Sequence, residues 1–156
     1  MTSTPYLPHV DLLLLALHIT RERLQSKSKI AVDTELFRAL LQALCAGQPF
    51  SESFYAETYP DIARGSSEGR IPDLHRHMVE RGYFEGRIGA PPEVDEEYYL
   101  ALYPDVREAI DAGTVKDAVD HYVQAGAAEG RVPHPALRDE INHWNRILRD
   151  ERQSAA

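Results

Sequence analysis

One stretch of this chain is written twice, and that doubling restricts the fold more than any other feature. Shifted by 44 positions, residues 50–91 lie over residues 94–135 without a gap, and 14 of the 42 aligned pairs are identical. Tyr55 falls on Tyr99, and Tyr59-Pro60-Asp61-Ile62 falls on Tyr103-Pro104-Asp105-Val106. Gly69, Asp73, His77 and Gly82 meet Gly113, Asp117, His121 and Gly126, and Glu85-Gly86-Arg87 meets Glu129-Gly130-Arg131. A fixed period of this length marks stacked supersecondary units that share a core.

Each copy reads as three short helices. The first begins after an N-cap, Ser51 or Asp95, and carries an aromatic pair, Phe54-Tyr55 or Tyr98-Tyr99. Tyr-Pro then breaks it. Proline restricts the residue before it but fits the first turn of a helix, so a second helix is predicted to start at Pro60 and Pro104. Asp61 and Asp105 lie near the positive end of that helix. A third helix is predicted to start near Asp73 or Val115 and to end at Gly82 or Gly126 as a left-handed cap.

The flanks are helical too. Val10, Leu13, Leu14, Leu17 and Leu24 share one face of a helix predicted over 9–25, and Leu12 and Leu15 widen it so far that more than one face must be covered, within the domain or in a homodimer. Residues 1–8 read as a loose leader and 26–29 as a basic turn. A second helix from Asp33 to Gly47 completes a hairpin over 9–47. At the other end, Leu137, Ile141, Trp144 and Leu148 form a narrow apolar seam on a charged helix over 136–153. No alternating run reads as a strand. The expected fold is therefore all-α over 1–156, a single helical domain with an N-terminal hairpin, two tandem three-helix repeats (50–91 and 94–135) and a C-terminal amphipathic helix.

Charge narrows the function. The formal net charge of −8 disfavours nucleic acid and anionic lipid, which need a basic surface. The apolar run 12–15 follows Asp11 rather than lysine or arginine and ends at His18, too short to cross a bilayer, so a cytoplasmic location without membrane insertion is expected. The single cysteine, Cys45, excludes an internal disulfide and sits in an apolar run, where it reads as a small core residue.

His77 and His121 stand one helical turn after Asp73 and Asp117, a spacing that can orient a catalytic or metal-bound imidazole. Because the pair recurs in both copies, the simpler reading is structural. Arg87 and Arg131 could clamp an anion or stack on a sugar-binding tyrosine; their simpler role is to bond a buried carbonyl or the tyrosine-rich helix break, with a glutamate or the YPD aspartate as ion partner. Tyr99 and Tyr103 could form a glycan platform, but aromatics at packing positions are more often core. Trp144 is the candidate partner contact on the last helix. No metal-ligand spacing, nucleophile elbow or phosphate-cradling glycine loop occurs, so no catalytic residue, metal or cofactor is assigned.

Residues 98–106, with His121-Tyr122 and the run 126–131, resemble a short helical repeat of bacterial proteins that often stands beside glycosyltransferase domains for surface polysaccharide. The second copy is the closer match; in the first, Met78 replaces Tyr122 and Tyr83-Phe84 replace Ala127-Ala128. The resemblance covers about half the chain, carries no catalytic residues, and implies a stand-alone accessory or adaptor for surface-polysaccharide assembly. The expected function is a non-catalytic protein-interaction module. The alternatives are a small-ligand or glycan-binding protein with a groove between the repeats, and a small enzyme using the Asp–His pairs.

Overall fold

The computed structural model describes residues 6–26 and 29–154, with side chains to Arg149. Most of the expected leader (1–5) and the middle of the basic turn (27 and 28) lie outside the described residues. The fold is all-α. Its tertiary contacts divide the chain into two units between Ala90 and Pro91.

The first unit opens with α1 (Val10–Ala16) and α2 (Arg21–Leu24). The leucine periodicity predicts one helix through this region; the structure breaks it. His18 takes φ of 52°, a left-handed turn that ends α1, and Thr20 Oγ1 then accepts the Arg23 N–H at 3.4 Å to cap α2. An ion pair from Arg21 to Asp11 bridges the break. α3 (Thr34–Ala46) starts at Asp33, whose carboxylate accepts the Glu35 N–H at 2.8 Å. Of the described residues up to Gly47, Leu14 and Cys45 alone are buried. Cys45 belongs to the core as expected, and burial pushes its thiol above the ordinary range.

The first copy of the motif follows as α4 (Glu52–Thr58), α5 (Pro60–Ser67) and α6 (Leu74–His77). Ser51 caps α4 through the Phe54 N–H, and Asp73 caps α6 through the Arg76 N–H. Tyr59, held extended by Pro60 (φ −121°), ends α4 and begins α5. Tyr55, Ile62, Leu74, Met78 and Cys45 form the core. In the second unit, α7 (Glu96–Leu102), α8 (Pro104–Asp111) and α9 (Ala118–His121) are built the same way on Asp95, Tyr103-Pro104 and Asp117, around Tyr99, Val106 and Ala118.

The third helix of each copy departs from expectation. Instead of stopping at a left-handed glycine, α6 and α9 run on into single π turns, Met78–Gly82 and Tyr122–Gly126. The left-handed residues come four positions later, Gly86 (φ 77°) and Gly130 (φ 68°). Gly82 and Gly126 are required for a different reason: a Cβ at either would collide with the hydroxyl of Tyr55 or Tyr99. The π turn brings its backbone onto the buried phenol, and only glycine leaves room.

A short 3₁₀ turn (Pro135–Leu137) leads into α10 (Arg138–Ser154). Among the described residues, polar contacts tie α10 to the rest of the second unit. Asn145 Nδ2 donates to the Gly130 carbonyl at 2.9 Å, and Arg138 Nε donates to the Tyr98 hydroxyl at 3.0 Å.

Candidate functional site

In each unit the repeated polar residues join into one connected set. Tyr55, with no accessible surface, lies across the core, and its hydroxyl hydrogen-bonds His77 Nδ1 at 3.1 Å. Tyr99 and His121 repeat the contact at 3.0 Å. Burial pushes both phenols up to about 12, so each hydroxyl keeps its proton at neutral pH. The aspartates one turn before each histidine are engaged elsewhere. Asp73 accepts the Arg76 N–H and Asp117 accepts the Asp120 N–H, both at 2.8 Å, so the Asp–His spacing serves helix capping while each imidazole turns to a tyrosine.

The arginines complete the set. Arg87 forks onto Asp61, Nη1 to Oδ1 at 2.9 Å and Nη2 to Oδ2 at 2.7 Å, while Nε donates to Glu85 at 2.9 Å. Its guanidinium lies 4.9 Å from the centre of the Tyr59 ring, and the Tyr59 hydroxyl accepts the Ile88 N–H at 2.8 Å. Arg131 makes the same fork onto Asp105 at 3.0 and 2.7 Å, bonds Glu129, and stacks 4.8 Å from Tyr103, whose hydroxyl accepts the Val132 N–H. The arginine side chains are only 19% and 18% exposed. The fork holds the Asp61 carboxyl at about 2, with Arg87's hydrogen bonds as the main cause, and Asp105 is lowered likewise by Arg131. Three N–H groups of each guanidinium and both oxygens of each aspartate are engaged inside the same unit.

Of the residues singled out from sequence, Tyr99, Tyr103, His121 and Arg131 therefore form one cluster in the second unit, and His77 and Arg87 join Tyr55 and Tyr59 in its counterpart in the first. Trp144 belongs to neither. It is 55% exposed on α10, beside exposed Ile147 and Leu148. Sequence reasoning missed Asn145, which tethers α10 while Trp144, Ile147 and Leu148 stay exposed and Ile141 is half-buried; one asparagine in a charged helix gives no signal. It also missed Arg38, which donates to the Glu80 carbonyl at 2.9 Å and lies 4.2 Å from the centre of the Phe84 ring.

The described residues of the first unit line a pocket and a groove. A pocket of about 370 Å³ is lined by Arg70, Arg76, Arg81, His77 and their neighbours, with Arg70 paired to Glu68 and Arg76 to Glu80. A groove of about 390 Å³ is lined by Tyr6, Leu7, Leu40, Ala43 and Leu44. Among the described residues no helix is long and apolar enough to cross a membrane. Comparison with protein-family models, with curated proteins and with solved structures finds no match.

Proposed function

We propose that this chain is a non-catalytic adaptor whose two tandem repeats act as scaffolds and whose α10 presents the Trp144 seam to a protein partner. One observation carries the reading: the repeated tyrosines, histidines and arginines are engaged within their own units, while Trp144, Ile147 and Leu148 face solvent on a helix held from its polar side. Exposed aromatic anchors of this kind dominate protein interfaces. In the setting that the sequence resemblance suggests, the partner is an enzyme of bacterial surface-polysaccharide assembly and the adaptor works in the cytoplasm. Affinity capture with the purified chain tests the reading. Wild type retains a specific protein, and Trp144→Ala loses it while keeping its helical spectrum and unfolding midpoint. Retention that ignores Trp144 overturns the assignment of α10.

A small-ligand reading is favoured by one feature, the pocket beside His77. The second copy has Thr114, Asp120 and Ala125 where Arg70, Arg76 and Arg81 stand in the first, so the scaffold does not require these arginines. Titration with nucleotide sugars and acidic glycans, followed at the His77 ring resonances, distinguishes this reading from the adaptor.

A further inference from the structure

The N-terminal segment cannot bury its own apolar side chains. α1 to α3 are leucine-rich, yet Leu12, Leu24 and Phe37 stay exposed, and Leu15 and Leu44 are 72% and 64% accessible. Tyr6 and Leu7 lead into α1 and, with Leu40, Ala43 and Leu44 of α3, line the open apolar groove. Tyr6, Leu7 and Leu44 are each more than half exposed and share that groove, and a contiguous exposed apolar patch marks an interaction site.

Charge says what covers this surface. Residues 1–47 carry five basic side chains (Arg21, Arg23, Lys27, Lys29, Arg38) and four acidic ones (Asp11, Glu22, Asp33, Glu35), a net of +1. The whole chain carries −8, so the remainder carries −9. Two copies meeting through the first 47 residues bring together nearly neutral surfaces, whereas contact through the remainder sets like charge against like. A two-fold contact places each patch on its own copy, the arrangement that closes at two subunits.

We infer that the segment over α1 and α3 is a homodimer interface, in which a second copy of this chain covers the groove and the exposed leucines. The inference rests on the adaptor reading only in leaving the Trp144 seam to another protein.

Sedimentation equilibrium of the full chain across the micromolar range tests it. Wild type is expected at twice the 17.6 kDa chain mass. Leu15→Glu and Leu44→Glu change exposed positions, so each should keep the helical spectrum while a buried, unpaired carboxylate weakens the dimer at least about a hundredfold. Amide exchange in wild type reads the same surface without a variant: protection in α1 and α3 should rise with concentration. A monomer at every concentration, a dimer that both folded variants leave intact, or exchange in α1 and α3 that ignores dimerisation would each overturn the proposal. The test uses purified chain alone, so its failure is separate from a failure of capture through Trp144.

Discussion

At the scale of single residues, the fold turns on one contact made in each unit, a fully buried tyrosine hydroxyl set between an imidazole and a glycine. Gly82 and Gly126 have no room for a methyl group against that hydroxyl. Gly82→Ala or Gly126→Ala should lower stability in urea by about 1–3 kcal/mol, the usual effect of overpacking. Removing the oxygen, as in Tyr55→Phe with Gly82→Ala, should recover part of that loss; a double variant with additive losses would argue against the collision. The phenols also set an alkaline limit. Unfolded tyrosine ionises near about 10, while Tyr55 and Tyr99 hold their protons to about 12. In that window the unfolded chain binds fewer protons than the folded one, so stability is complete below about pH 10 and falls as pH rises toward about 12. Urea midpoints at pH 8 and pH 11 check this, and Tyr55→Phe should flatten the slope.

At the scale of helices, the sequence was most informative where a local rule and the internal doubling agreed. The Tyr-Pro breaks, the caps at Ser51, Asp73, Asp95 and Asp117, and the helix starts at Pro60 and Pro104 all stand where steric and hydrogen-bonding rules put them. The arginine brace was legible as well, since it required only a cation, the YPD carboxylate and the tyrosine of the break. Two features were hidden. A run of leucines does not reveal that His18 turns left-handed, because few residues other than glycine do so and the periodicity carries through the break. A π turn leaves no trace in a 3.6-residue pattern, so Gly82 and Gly126 looked like caps rather than points of close approach. The Asp–His spacing misled for a related reason: the same aspartate is the better N-cap, and it takes that role. α10 supplies an element-scale test. Its tether through Asn145 is local, so Asn145→Ala should speed amide exchange across α10 by about fivefold, in line with the roughly 1 kcal/mol of one hydrogen bond, and leave α7 to α9 unchanged.

For the molecule as a whole, the proposed adaptor role assigns different residues to maintaining the fold and to meeting a partner. Repeated histidines and arginines belong to the first, and under the proposed adaptor role the unrepeated α10, with Trp144 exposed, serves the second. That separation also explains why the repeated residues resemble a site in sequence: a buried polar network uses the same residue types as a catalytic one, and only its connections distinguish them. The most direct test is one paired measurement on His121→Ala and Trp144→Ala, urea midpoint against partner capture per folded molecule. His121→Ala leaves the buried Tyr99 hydroxyl unsatisfied and should lower stability by about 1–3 kcal/mol with capture unchanged. Trp144→Ala should keep the midpoint and lose capture. The opposite pattern, with capture lost at His121 and retained at Trp144, would contradict the account and make the Tyr–His–Arg set a binding site.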